Sequence, residues 1–365
     1  MLASTKKRID LSLDLFLKRV KRDYPFDMVP DVLYDSIRDF IMRKGKRLRP
    51  ALLVLSYKGY SPPGRRTSPS ICYVSTCIEL LHAFMLVHDD IIDRSNLRRG
   101  LPTLHRMLAC AVKTKDQERL GNDLGIIAGD IIYALAIDAF LSVNAPPKNK
   151  EKALKYFIQT AVLTAMGEFI DTVYGNEKVN KIKEKDVLLN YTLKTARYTF
   201  DCPLVVGAIL AGAKPQEIPH LSRFGLLMGQ AFQIQDDVIG IFSTQKNIGK
   251  SILSDIAESK KTMLVCHANR HLRGSEKKKF LTHFNKRRQT YSDLVAIRKI
   301  FLKAGSLTYC LEQIESKLHE AQGILARLKM RPFYRTQIAP TLFQLFRPSQ
   351  QMADHHNIPF RLRDH

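Results

Sequence analysis

The chain has 365 residues, enough to bury a full core as one large domain or two smaller ones. Hydrophobic residues make up 45% and charged residues 25%, ordinary usage for a soluble globular protein, which sets aside fibrous and disordered classes. Lysine and arginine outnumber the acids 58 to 35, a formal charge of +23 that draws anions: nucleic acid, anionic lipid or a phosphorylated small molecule.

Nearly every long segment repeats its apolar residues at helical spacing, and strand-like alternation is scarce, so the chain reads as all-α. Punctuation at 61–64, 100–102, 145–147, 213–215, Gly249 and Gly305 divides the chain into segments of helical length, with no linker long enough to separate domains. A single domain is expected over 1–345, and a loosely ordered tail over 346–365, where periodicity is lost. Six cysteines without a CxxC pair read as reduced thiols in a cytosolic protein. The N-terminal segment mixes charged and apolar residues at helical spacing, unlike a signal peptide or membrane anchor. The longest apolar run, from Pro203, is too short to cross a bilayer.

The first chemistry-bearing stretch is Lys44-Gly45-Lys46-Arg47-Leu48-Arg49-Pro50, where Lys46 and Arg49 fall three apart on one expected helical face. A helix is then expected over 70–93, ending in LVHDDIID. On it Asp89 and Asp93 stack one turn apart, about 40° round the axis, with Asp90 between them and His82 two turns back on the same face. Like charges at that spacing destabilise a helix unless a cation lies between them. Hard carboxylate oxygens suit Mg²⁺, which keeps several waters and shares phosphate oxygens with a substrate. Arg98 and Arg99 follow, where a Gly-Leu-Pro turn could hold their forks toward an anion.

Further along, YTLKTARYTFDCPLVVGA sets Lys194 and Thr195 in a helix interrupted near Pro203. From Phe224, FGLLMGQAFQIQDDVIGIF is apolar apart from three glutamines and Asp236-Asp237, with Gln233 one turn before Asp237. Adjacent carboxylates in so apolar a helix are costly to bury without a counter-ion. GKSILSDIAESKKT places Lys250 and Lys260 around Asp255. Any one of these cation groups is ordinary surface charge. Together with two acidic helices facing each other, they would clamp a diphosphate through several Mg²⁺ ions. The basic run RGSEKKKFLTHFNKRR, from Arg273, reads first as a solvated helix and loop.

Assembled, these residues resemble the trans-isoprenyl diphosphate synthases of the polyprenyl synthetase family, most of all the archaeal-type geranylgeranyl diphosphate synthases. GKRLRP, DDxxD…RRGxPTxH, KTAxYTFxxPLxxGA, FQxxDD and GKxxxSDIxExKKT occur in that order, and the resemblance covers roughly 10–345. It implies the isoprenoid synthase fold, antiparallel helices around a deep central active-site cavity, usually as a homodimer. It also implies Mg²⁺-dependent condensation of isopentenyl diphosphate with allylic diphosphates, with three ions on the allylic diphosphate. By resemblance, Asp89, Asp93 and Asp236 are metal ligands, with Asp90 and Asp237 beside them. Arg98, Lys194, Thr195, Gln233, Lys250 and Lys260 match positions that contact the allylic diphosphate. Lys46, Arg49, His82 and Arg99 match those that hold the isopentenyl head. One departure is Gly240, which stands where the second motif usually ends in aspartate; Asp255 is a candidate to compensate through water.

Phe84 matches a position that often helps form the floor of the product pocket, and the farnesyl-type second aromatic is replaced by Met85. The resemblance therefore implies a C20 product, with C15 as the alternative. Helical geometry instead nominates Met85 and Leu81 as liners, because Phe84 lies about 140° from Asp89. A class I terpene cyclase would carry a different later metal motif, and an HD-type phosphohydrolase would need further histidines. An RNA-binding protein would leave the acidic pairs unexplained, so no nucleic-acid partner is expected. A catalytically silent partner subunit stays open because of Gly240. Residues 277–279 and 286–288 suggest peripheral contact with anionic membrane.

Overall fold

A computed structural model describes residues 2–63, 70–111, 113–242, 260–286 and 289–362. Lys250 and Asp255 lie outside the described residues. The expected all-α class holds: among the described residues the only strands are two residues each. In chain order the helices are α1 (Leu2–Asp23), α2 (Val32–Met42), α3 (Leu48–Tyr60) and α4 (Ser70–Ile92), then the hairpin β1 (Leu97–Arg98) and β2 (Leu101–Pro102). There follow α5 (Leu104–Leu108), α6 (Gln117–Leu141), α7 (Pro147–Asn176), α8 (Glu184–Asn190), a π-helical stretch Tyr191–Asp201, α9 (Cys202–Ala211) and α10 (Glu217–Phe242). The chain ends in α11 (Met263–His271), α12 (Gly274–Phe284), α13 (Tyr291–Lys303), α14 (Ser306–Arg327), α15 (Pro332–Phe343) and α16 (Arg347–His355).

Two compact units divide the chain: Met1–Phe157 with Pro203–Ala213, and Ile158–Cys202 with Lys214–His365. In the first, α1 buries Ile9, Leu13, Phe16, Leu17 and Val20, the stripe its spacing foretells. Each such side chain contributes about 1.5–3 kcal/mol of burial. By length and composition α6 could cross a membrane, but part of it is core. Its Gly129 lies against the His88 ring of α4, where a Cβ would come within 2.2 Å of Cε1. Ser56 of α3 donates to the Leu204 carbonyl of α9 at 2.6 Å, closing this unit around the chain's return.

In the second unit, α10 packs on the π-helical stretch through absent side chains. A Cβ on Gly229 would come within 2.3 Å of Ala196 Cα, and one on Gly225 within 2.7 Å of Asp201 Cα. Phe200 and Phe232 meet edge to face at 5.6 Å. The winding returns to α at Cys202 and continues unbroken through Pro203, so the interruption expected near Pro203 is a change of winding and not an end of the helix. α13 opens with a reciprocal cap, in which Asp293 accepts from the Thr290 N–H at 3.0 Å.

The tail departs from expectation. Residues 347–355 are helical, and Ser349, Ala353 and Phe360 are buried; Ser349 donates to Gln235 Oε1 at 2.8 Å. Few apolar residues are needed because the anchor is a buried hydrogen bond to α10, which composition does not reveal.

Candidate active site

α4 ends where the sequence places the first carboxylates. Asp90 is fully buried and Asp89 half-buried, and Asp93 follows the helix with its N–H still bonded to the Asp89 carbonyl at 2.8 Å. Carboxylate oxygens of Asp89 and Asp93 lie within 4.8 Å of each other. Arg98 folds back on this group: Nε donates to Asp90 Oδ1 at 2.7 Å and Nη2 to Asp89 Oδ2 at 2.8 Å. A buried carboxylate needs such a partner. The paired acids in turn hold the Arg98 guanidinium firmly protonated against its own burial.

The turn behind this arrangement is Arg99-Gly100, both at positive φ (56° and 78°), in a two-residue hairpin pairing Arg98 with Leu101. Positive φ at both central residues gives the twist that matches the flanking strands. Arg99 donates to the Lys44 carbonyl at 3.0 Å and passes over Gly45, where a Cβ would come within 2.9 Å of Nη1. The two arginines therefore differ in their partners: Arg98 pairs with acids, whereas Arg99 joins the loop before α3.

That loop corrects one expectation. Lys46 is exposed and precedes the helix, which starts at Leu48 after Arg47 adopts a left-handed backbone (φ 50°). Lys46 and Arg49 thus do not share a helical face. Arg47, not singled out from sequence, is buried. It donates to Asp10 Oδ1 at 2.8 Å, to Glu79 Oε1 at 2.5 Å, and to the carbonyls of Ile41 and Arg43. A small cavity here is lined by Phe40, Arg47, Glu79, His82, Arg98 and Arg99. Burial, and then the fields of Arg49, Arg99, Arg98 and Arg47, hold the His82 imidazole well below its usual range, so it is neutral. The pocket offers guanidinium charge and an uncharged imidazole, a setting made for an anion.

The second unit carries the other group. Lys194 Nζ meets Asp171 Oδ2 at 2.7 Å and Glu168 Oε2 at 3.0 Å, both acids on α7. The contact is close because Gly167 leaves no side chain against the Lys194 backbone, where a Cβ would meet N at 2.4 Å. Asn190 Nδ2 donates to Asp171 Oδ1 at 2.7 Å. Thr195 Oγ1 donates to Gln233 Oε1 at 2.6 Å, and Gln233 Nε2 to Asp237 Oδ1 at 2.9 Å, which bears out the shared face of Gln233 and Asp237. The two carboxylates of α10 diverge: Asp237 is buried, while Asp236 is exposed. Gly240 is buried one turn beyond. Lys260 is half-buried just before α11.

The residues expected to set product length lie on α4. Phe84 meets the His88 ring edge to face (4.8 Å) and the Tyr133 ring of α6 at a tilt (4.9 Å), Leu81 is 1% exposed and Met85 is half-buried. Sequence reasoning missed Arg47, Glu79, Glu168, Asp171 and Tyr191. Glu168 and Asp171 did leave a signal, two acids three apart within an apolar stretch of α7. Asp89 and Asp93 in the first unit, and Asp236 in the second, are carboxylates that are not fully buried, and hard oxygen donors of this kind suit Mg²⁺.

Comparison with known proteins shows the family and the fold. The chain matches the polyprenyl synthetase family model over residues 30–301. It is 33% identical over 285 residues to a geranylgeranyl diphosphate synthase of Sulfolobus acidocaldarius, covering 78% of this chain and 80% of that protein. It is 30% identical over 303 residues to the enzyme of the same name from Methanosarcina mazei, covering 83% and 86%. Among solved structures it superposes on a geranylgeranyl pyrophosphate synthase of Corynebacterium glutamicum, complexed with isoprenyl diphosphate and magnesium. That superposition has a TM-score of 0.86 at 24% identity, covering 96% and 99% of the two chains, and it shows a shared all-α isoprenoid synthase fold. The chain belongs to the polyprenyl synthetase family, whose members are Mg²⁺-dependent prenyltransferases.

Proposed function

We propose that the chain condenses isopentenyl diphosphate with allylic diphosphates, head to tail, and stops at geranylgeranyl diphosphate. The observation that carries this reading is two acidic pairs held by separate polar and cationic groups: Asp89 and Asp90 by Arg98 at the end of α4, and Asp237, next to Asp236 on α10, by Gln233 and through it Thr195. Asp89, Asp93 and Asp236 would hold the ions, three in number, which supply charge neutralisation to a departing diphosphate. Arg98, Lys194, Thr195, Gln233, Lys250 and Lys260 would orient the allylic diphosphate. Lys46, Arg49, Arg99 and neutral His82 would hold the isopentenyl head. Aligning the two substrates is the larger part of what these side chains do, since no protein nucleophile is required. The proton lost after carbon–carbon bond formation goes to the departing diphosphate.

Asp89→Asn and Asp236→Asn test the roles separately. Each should lower kcat/KM for condensation by about 100-fold or more, since ion-held charge stabilisation is worth several kcal/mol. Unchanged condensation in either would remove that residue from the metal set.

The same reading includes a homodimer and a cytosolic location. Ile158, Val162, Met166, Phe169 and Val173 form an exposed stripe along α7, Phe169 being 71% exposed; this is the face a second copy would cover. Sedimentation of Phe169→Glu should show a monomer where the parent chain is dimeric; an unaltered dimer would exclude this face. Contact of Lys277–Lys279 with anionic membrane is a further element of the reading. Retention on anionic over neutral vesicles supports it, and equal partition sinks it.

A further inference from the structure

Asp237 is a metal-motif carboxylate whose two oxygens are both held by protein donors. Gln233 Nε2 donates to Oδ1 at 2.9 Å, and the Tyr191 hydroxyl donates to Oδ2. That hydroxyl in turn accepts from the Met263 N–H at 2.9 Å, the first residue of α11. Tyr191 is 5% exposed and opens the π-helical stretch three residues before Lys194. A single phenol therefore joins the start of that stretch, the carboxylate pair of α10 and the start of α11.

We propose that Tyr191 is a positioning residue for the metal-binding wall: by fixing Asp237 inward it sets the rotation of α10 so that Asp236 faces the metal and substrate. The inference rests on the function proposed above. On a helix, neighbours lie about 100° apart, so pinning one side chain to the core decides where the next one points. Ordinarily a carboxylate one turn on would share the task of meeting the ions. Here that position is Gly240, buried and without a side chain, so an error in the direction of Asp236 has no substitute on this helix. Asp237, with both oxygens engaged, supports rather than ligates. Partners that orient a metal ligand commonly change affinity by about 10- to 100-fold when lost.

The test uses the full chain, with Mn²⁺ in place of Mg²⁺ counted by EPR beside a non-hydrolysable allylic thiolodiphosphate, and steady-state kinetics in parallel. Tyr191→Phe keeps the ring and deletes the hydroxyl. The expected result is about a tenfold weaker Mn²⁺ affinity and a raised KM for the allylic diphosphate, with KM for isopentenyl diphosphate unmoved. If Tyr191→Phe does not fold, Tyr191→Phe/Asp237→Asn, which removes the buried charge along with its donor, is measured the same way. Asp237→Asn alone should keep the parent number of bound Mn²⁺ ions. Unchanged Mn²⁺ affinity in the folded phenylalanine variant, or an equal rise in both KM values, would overturn the assignment. So would the loss of an ion in Asp237→Asn. A parent chain that binds Mn²⁺ with the analogue but condenses nothing would instead count against the proposed function and leave the positioning measurement readable.

Discussion

Arg47 shows how a cation at the edge of an anion pocket can be engaged by the protein's own acids and carbonyls. Its guanidinium is spent on Asp10, Glu79 and two carbonyls, and its left-handed backbone ends the loop that carries Lys46 and begins the helix that carries Arg49. Arg47→Ala would leave Glu79 buried without its partner, which costs about 3–5 kcal/mol. The expected outcome is a fall of that size in the urea-unfolding free energy, and a change under about 1 kcal/mol would show the pair to be dispensable. His82 sits among the same arginines and carries a second prediction. Its folded pKa is depressed, so below the unfolded value of about 6.5 the unfolded chain takes up a proton that the folded chain refuses. Stability is therefore complete above pH 6.5 and is lost as pH falls. His105 and His267, both held at about 4 chiefly by burial, add to the trend between pH 6.5 and 4. The urea midpoint should drop from about pH 7 to about pH 5, and drop less in His82→Gln; equal drops would show that His82 does not contribute.

Helices are placed in this protein by residues that withhold side chains as much as by those that fill the core. Gly167 of α7 and Gly229 of α10 admit the backbone of Lys194 and Ala196, and so bring Glu168 and Asp171 to the lysine and Gln233 to Thr195. Alanine is the better helix former by about 1 kcal/mol. Even so, Gly229→Ala should destabilise, because its Cβ would stand 2.3 Å from Ala196 Cα and overpacking of that kind costs about 1–3 kcal/mol. Thermal unfolding checks the sign, and a raised Tm would contradict so close an approach of the two backbones. The helices themselves are plain in the sequence: the expectation over 70–93 meets α4 at Ser70–Ile92. Helix starts are less legible. Periodicity extends a helical face back to Lys46, because pattern cannot register the positive φ of Arg47. Nor can it show the π winding of Tyr191–Asp201, against which α10 packs at Gly225 and Gly229.

At the scale of the whole molecule, the acidic and cationic motifs are legible because chemistry restricts them to a few residue types at fixed spacing. Their supports are not. Glu79, Asp171 and Tyr191 act through partners distant in the chain, Tyr191 through Asp237 46 positions on, and nothing local marks such a pair. The tail is misjudged from sequence for the same reason, since Ser349 is anchored by Gln235, 114 residues earlier. The function proposed for these groups is Mg²⁺-dependent condensation with a C20 end point. The most direct measurement incubates the pure chain with Mg²⁺, labelled isopentenyl diphosphate and C5, C10 or C15 allylic primers, and resolves products by length. Ladders that all end at C20, lengthened by Phe84→Ala, are the predicted result. A C15 end point, or an unchanged ladder in Phe84→Ala, would contradict the product assignment; no elongation of any primer would contradict the claim itself.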